Sequence, residues 1–446
     1  MKFSRLFLLF AVLCAVAIAP LHAQEPITIS MVHIFGAEND DRGGLIQAVA
    51  DEFMEDNPGI VVELQSPSTD YIELFNGALL AADQGQAPTI IQVEEGLTQL
   101  AADSGFFIPI GDIASEEQLA SLDDLLPVVR EYYSIGGTLY SVPFNTSNPL
   151  MFYNKNMFVA AGLDPETPPA TFEDILAACA AIMASPEPPS ACMNFPMTAW
   201  FPEQWMSMQN GLIANNENGR AARATAVNYD QTEMLTIAEW YKAMDDAGYL
   251  TYSGTPNDYQ GEGISFLSKA TAITINSTAG VSLFQRFGMI QGIDLGIAPL
   301  PAPNADATNG MTVGGASLWV TADSTPEQTQ AAVDFIFFLT NTEHDMAWHQ
   351  GTGYIPSRIS SIDALTASGW FDENPAFGIA VKQLQDSAGN VANAGAIMGP
   401  SAEVRGILVE ALQSIIDGGE EPISALHAAK DRADAILADY NSVIGE

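Results

Sequence analysis

Positive charge is scarce in this chain. Its 446 residues carry 15 Lys and Arg against 55 Asp and Glu, a formal net charge of −40. Nucleic-acid binding needs a basic surface, so that class of partner is excluded, as is attachment to an anionic membrane surface. The acid is spread along the chain rather than gathered in a tail, which is the pattern of a solvated surface. Histidine is sparse as well. Beyond the N-terminal segment there are only His33, His344, His349 and His427, with no zinc-binding spacing, so no metal site or cofactor is expected. No G-x-S-x-G elbow occurs, and "GGLIQAVA" lacks the lysine of a phosphate-binding loop. The many carboxylates leave room for an acidic pair of the glycosidase kind, but no motif singles one out. No catalytic residue is assigned.

Long apolar runs are also missing, apart from one at the start. Lys2 and Arg5 precede the apolar stretch Leu6 to Pro20, and Ala23 follows in "PLHAQ". This reads as a secretory signal peptide, residues 1–23, cut after Ala23. The run is too short to span a membrane comfortably. Cys14 raises lipid anchoring as the alternative, but "FAVLC" lacks the small residue expected before a lipidated cysteine. The expected product is an exported, soluble chain, periplasmic or extracellular. Its length suits two domains, and 48% hydrophobic residues supply a core. Two cysteines remain, Cys179 in "FEDILAACAAIMA" and Cys192 after "SPEPPSA". In an oxidising compartment this pair is expected to form a disulfide, with two buried thiols as the alternative.

The first hundred residues alternate in type. "ITISMVHIF" (Ile27–Phe35) reads as a strand. A helix follows, with Leu45, Val49 and Phe53 at helical spacing and Asn57-Pro58-Gly59 as its stop. "IVVELQS" is a second strand. "DYIELFNGALLAA" is a helix capped by Asp70 or Thr69, and "APTIIQVEE" is a third strand. This β-α-β-α-β order marks a parallel sheet with helices on both faces. Ligands of such sheets bind beyond the carboxyl ends of the strands, where Tyr71 and Glu95 fall. Residues 172–246 look mainly helical. Strands return at "ATAITINST", "DLGIAPLP" and "GGASLWVTA", and two long helical stretches end the chain. With no linker in the sequence, the chain is expected to cross between domains more than once. Candidate crossings are the polar knot Asn145–Asn148, "TINSTAG" and "GTGYIPSR".

Three phrases carry a resemblance: "VPFNTSNPLMFYNKNMFVAAGLDPETPPATFEDI", "VGGASLWV" and "AWHQGTGYIPSR". They resemble the extracellular solute-binding proteins of carbohydrate-type ABC importers, and among these the members that bind glycerol phosphates. The similarity runs from about Ile29 to the last helix. It implies a two-lobe α/β fold of the maltose-binding-protein type (type II), each lobe a mixed sheet flanked by helices, joined by hinge segments. The lobes are expected at 24–142 with 279–340, and at 143–278 with 341–446. The resemblance further implies ligand contacts at Tyr71, Glu95, Ser147, Trp200, Ser277, Gly315, Tyr354 and Arg405. Trp205 is a weaker match because the local spacing departs from the family's pattern.

Arg405 is the sharpest of these residues. Few cations remain after signal removal, and a planar guanidinium grips phosphate through two parallel hydrogen bonds. Its alternative is a salt bridge. Glu403 and Glu410 stand off the three-or-four-residue helical spacing, so that partner would come from elsewhere in the chain. One of Glu94 and Glu95 is expected to face solvent, and the other to accept bonds from ligand hydroxyls. Trp200 either covers C–H faces of a polyol or is ordinary core. Tyr354 either presents its hydroxyl or packs at the hinge. The expected function is capture of glycerol 3-phosphate or a glycerophosphodiester by hinge closure, with delivery to membrane permease subunits of an ABC importer. The expected binding protein is a monomer. A neutral sugar or polyol is the alternative ligand. A secreted glycosidase, esterase or phosphodiesterase is the alternative of another class.

Overall fold

The computed structural model describes residues 25–36 and 40–445. The expected signal peptide and Cys14 lie outside the described residues. In chain order the strands are β1 (Ile27–Val32), β2 (Ile60–Gln65), β3 (Ile90–Glu94), β4 (Phe107–Ile108), β5 (Ser134–Ile135), β6 (Thr138–Leu139), β7 (Val142–Pro143), β8 (Pro149–Asn154), β9 (Ala191–Asn194), β10 (Leu250–Thr251), β11 (Thr271–Ser277), β12 (Leu295–Pro299) and β13 (Ala316–Thr321). The first sheet has the order β2-β1-β3-β13-β4, with β7 also paired to β13. Its β1 runs parallel to both β2 and β3, while β13 enters antiparallel. The second sheet has the order β10-β9-β11-β8-β12, and β5 with β6 forms a small hairpin.

The helices follow from local chemistry. Asp70 caps the helix Tyr71–Asp83 by accepting the Glu73 N–H at 2.9 Å, a contact of about 1 kcal/mol. Thr171 and Asp174 make a reciprocal capping box on the helix Phe172–Met183. Strand β8 is buried along its whole length, because β11 and β12 flank it and helices cover it. Cys179 and Cys192 form a disulfide that ties the helix Phe172–Met183 to β9, with Cα atoms 5.3 Å apart.

Two of the expected boundaries move. Strand β12 was expected in the first lobe, within 279–340. It pairs antiparallel with β8, Ile297 opposite Phe152, and so belongs to the second sheet. The chain therefore does not leave that sheet at "TINSTAG". It returns to the first sheet through Thr312–Gly315, just before β13. The stretch 341–385 was expected in the second lobe. Its Trp348 and Tyr354 instead join the core beneath the first sheet, whereas its helix Pro375–Gln385 packs on β12 of the second, Gln383 bonding the Leu300 N–H and the Pro149 carbonyl at 2.8 and 2.9 Å. Trp348 meets Phe35 edge-on at 5.3 Å and stacks on Phe144 at 4.8 Å. The last passage to the second lobe comes before the helix Pro375–Gln385, after Arg358 and Ser360 bond Ser121 and Asp124 of the first lobe. Beyond it, Val404, Leu408 and Leu412 join the other core.

The segments at the hinge nevertheless meet. Thr146 bridges to Ile355 and Ser147 to Gly314, and the Thr278 N–H reaches the Asn148 carbonyl at 2.9 Å. The polar knot thus serves as the shared edge of all three neighbours. Its backbone groups are buried, so each must find a partner.

Candidate functional site

Strand β3 ends at Glu94, and the chain turns at once into the single 3₁₀ turn Glu95–Leu97. The Glu95 N–H bonds the Gly315 carbonyl at 3.0 Å, which fixes that turn against β13. The turn sends Glu95 inward, only 2% exposed, and leaves Glu94 half-buried at the edge. From the other lobe, the helix Ser401–Ile416 presents Arg405 and the helix Trp200–Met208 presents Glu203.

Arg405 sits among three carboxylates. Its Nε and Nη2 donate to the two oxygens of Glu203 at 2.8 and 2.7 Å. Nη2 also donates to Glu95 at 3.1 Å, and Nη1 stands 3.6 Å from Glu94. The Glu95 contact crosses between lobes. Close approach is possible because residue 96 is glycine, where a Cβ would lie 2.3 Å from Arg405 Nη1. Burial, and then the neighbouring Glu94, push the Glu95 carboxyl up to about 8, against the pull of Arg405. Burial also raises Glu94. Burial disfavours the Arg405 cation, but Glu203, Glu95 and Glu94 outweigh it and hold the guanidinium charged. The partner of Arg405 comes from the fold, not from its own helix.

Tyr71 opens its helix, and its hydroxyl accepts from Asn145 Nδ2 at 2.8 Å. Asn145 Oδ1 accepts in turn from Gln92 at 2.8 Å. The knot residue Asn145 is thereby locked between the first sheet and Tyr71. Burial raises the Tyr71 phenol well above its usual range. Gly315 has φ +105°, and a Cβ there would lie 1.9 Å from the Asn145 carbonyl oxygen, so only glycine fits. Ser147 is buried beside it and exchanges both backbone hydrogen bonds with Gly314, at 2.9 and 2.8 Å.

Trp200 lies with its indole over Gly314, where a Cβ would fall 2.3 Å from the ring. Its Nε1 is buried and has no hydrogen-bond partner among the described residues. A buried N–H in that position is a donor held ready for an acceptor. Trp205 differs. It is fully buried, bonds the Pro301 carbonyl at 2.9 Å and packs among Phe172, Phe195 and Trp240, so it is core. Ser277 ends β11, and its Oγ accepts the Ala279 N–H at 3.2 Å. Tyr354 stacks on Trp348 at 5.7 Å, and its hydroxyl accepts from Arg42 Nη1 at 3.4 Å.

The structure thus joins Glu95 directly to Arg405, Tyr71 and Gly315 to Asn145, and Trp200 to Gly314 beside Ser147. Ser277 lies beside the same hinge, next to Thr278. Three neighbours were not foreseen: Glu203, Asn145 as a side chain, and Arg42. In a chain so poor in cations, each arginine was worth tracing, and Arg42 follows directly on "NDD".

The lobes also touch at the rim. Arg223 grips Asp103 with two bonds of 2.7 Å, and Tyr440 donates to the same carboxylate at 2.9 Å. Arg220 donates to the carbonyls of Glu131 and Gly395, each at 2.9 Å. No group of residues able to hold a metal ion occurs among the described residues, and no described helix is long and apolar enough to cross a membrane.

Two lobes around a hinge, with polar and aromatic groups converging between them, define a class that captures small solutes. The chain belongs to the bacterial extracellular solute-binding proteins, whose family profile matches residues 48–379. It is similar to the sn-glycerol-3-phosphate-binding periplasmic protein UgpB of Escherichia coli strain K12, 28% identical over 423 residues and 94% of each chain. In fold it is similar to UgpB from Mycobacterium tuberculosis, solved in complex with glycerophosphocholine. The TM-score is 0.75 at 19% identity, covering 94% of this chain and 99% of that one. The sugar-binding protein MalE from Xanthomonas citri shares the fold too, with a TM-score of 0.73 at 19% identity over 93% and 98% of the two chains.

Proposed function

We propose that this chain captures glycerol 3-phosphate or a glycerophosphodiester between its lobes and delivers it to the permease of an ABC importer. The carrying observation is the contact between Glu95 and Arg405, 3.1 Å across the two lobes. A ligand whose groups reach both lobes favours the closed state by its extra contacts. Glu95, whose carboxyl burial and Glu94 raise, can accept from glycerol hydroxyls and in its protonated form also donate to them. The Trp200 indole offers a flat face to the carbons and an unused N–H. Tyr71, Ser147, Ser277, Gly315 and Tyr354 are proposed as further contacts. The likeness to a glycerol-3-phosphate-binding protein over nearly the whole chain supports the ligand class. The division of lobes proposed is 25–36, 40–143 and 316–367 in one, and 149–312 with 375–445 in the other. The protein acts as an exported monomer and carries out no chemistry on its ligand.

One observation favours a second reading. Three carboxylates surround one guanidinium at Arg405, an excess that suits the hydroxyls of a neutral sugar better than a phosphate. A thermal-shift series with glycerol 3-phosphate, glycerophosphocholine and neutral sugars separates the readings, because a ligand raises the midpoint only of the state it binds. A shift with the phosphates and none with sugars supports the proposal. A shift with sugars alone contradicts it.

A further inference from the structure

The anion-binding arginine implied by the resemblance, Arg405, is surrounded by its own counter-charges. Glu203 takes two of its N–H groups, Glu95 shares one, and Glu94 stands 3.6 Å from the remaining nitrogen. A phosphate arriving there would face three carboxyl groups within a few ångströms. Even at an effective dielectric of about 20, two like charges about 4 Å apart repel strongly. Protonation of Glu95 eases this without making the cluster attractive to a dianion, since Glu203 alone balances the guanidinium.

A second guanidinium stands on the first lobe. Arg42 opens the helix Arg42–Asp56. Asp40 takes Nε and Nη2, each at 2.7 Å, and so fixes the plane of the group. Its Nη1 edge turns to the hydroxyl of Tyr354, 3.4 Å away. The guanidinium lies over the Phe35 ring at 4.8 Å, and Tyr71 is within its electrostatic reach. Its side chain keeps 31% exposure. Among the described residues, the other charges nearby are Asp41 and Arg286, which pair with each other at 3.7 Å. Among the described residues, one carboxylate bonds Arg42, whereas three stand around Arg405.

We infer that Arg42, with the hydroxyls of Tyr71 and Tyr354, receives the phosphate of the ligand. The Glu95–Arg405–Glu203 cluster receives its hydroxyls. This rests on the phosphate-ligand reading above. A guanidinium held through Nε and Nη2 presents its remaining edge in a fixed orientation, with the Tyr354 hydroxyl beside it. Two-pronged charge-assisted bonding of phosphate follows from that geometry. The cleft then carries a polarity along its length, anion at the Arg42 end and polyol at the carboxyl end. That polarity sets which way round a glycerol phosphate lies.

The test is calorimetric titration of glycerol 3-phosphate into wild type, Arg42→Gln and Arg42→Lys, with inorganic phosphate as competitor. Loss of a charged partner is expected to weaken Arg42→Gln about thirtyfold or more. Lysine restores only part, because it cannot present the planar fork. Inorganic phosphate competes in wild type and fails to compete in Arg42→Gln. The unliganded melting midpoint stays near wild type, since among the described residues Arg42 pairs only with nearby Asp40 and Tyr354; should glutamine unfold the chain, the charge-retaining lysine variant decides alone. Equal affinity of wild type and both variants overturns the role of Arg42 while leaving the ligand reading intact. A wild type that ignores glycerol 3-phosphate overturns both.

Discussion

The carboxylate of Glu203 holds the guanidinium of Arg405 through two hydrogen bonds, 2.8 and 2.7 Å long, from a helix 202 residues earlier in the chain. Both residues belong to the second lobe, so the pair presents a finished, oriented group to Glu95 on the first. Glu203→Gln removes the charge and one of the two acceptors. The expected loss of stability is about 1.5–3 kcal/mol, the range for hydrogen bonds to charged groups. Urea unfolding of the unliganded protein measures it, and an unchanged midpoint at the same slope would mean the pair contributes nothing net.

Glu95 makes stability depend on pH. Its carboxyl is raised in the folded protein to about 8, against about 4.3 in an unfolded chain. Between those values the folded state holds more protons than the unfolded state. Its contribution is therefore fully present below the unfolded value and is lost as pH rises toward 8. Glu95→Gln should flatten that part of the profile. Melting midpoints of wild type and variant at intervals from pH 5 to pH 9, compared as a difference, provide the check; parallel profiles would contradict it.

The hinge depends on two glycines in succession. Gly314→Ala would drive a methyl into the Trp200 indole, and Gly315→Ala would meet the Asn145 carbonyl from a backbone at φ +105°. Gly315→Ala should be the more damaging, because its obstacle is backbone and its φ is left-handed. A loss of about 1 kcal/mol or more is expected for it. Gly314→Ala should move Trp200 and show first as altered tryptophan fluorescence. Reversal of that order would contradict the packing described.

The disulfide closes a short loop. Cys179 and Cys192 are 13 residues apart, and a loop of this size is worth about 3 kcal/mol in the chain-entropy treatment. Cys179→Ala with Cys192→Ala should lower the denaturation midpoint accordingly. Mass analysis of unreduced, alkylated protein should find no modified thiol at either position.

What the sequence revealed was whatever local pattern encodes. Leu45, Val49 and Phe53 announce the helix Arg42–Asp56, and Asp70 announces the start of the next, because periodicity and capping act within one turn. The placement of β12 was not legible. It depends on pairing with β8, some 145 residues earlier, and a strand carries no mark of its partner. The stretch around Trp348 and Tyr354 was misassigned for a similar reason: these residues find Phe35 and Phe144, far away in sequence. At the site, residue types could be named but not their company. The partners of Arg405 could not be named because its helix offers none, and its three glutamates arrive from β3, the turn after it and another helix. Trp205 shared its neighbourhood with Trp200 in sequence, and both are buried in one core, but only Trp205 has its indole N–H bonded, to the Pro301 carbonyl.

The central claim is capture of a glycerol phosphate between the lobes. Calorimetric titration of the protein with glycerol 3-phosphate tests it most directly, run alongside a neutral disaccharide. The account predicts saturable one-to-one heat with the phosphate, no turnover of the ligand, and none of that heat with the disaccharide. Silence with glycerol 3-phosphate together with one-to-one binding of the disaccharide would contradict it.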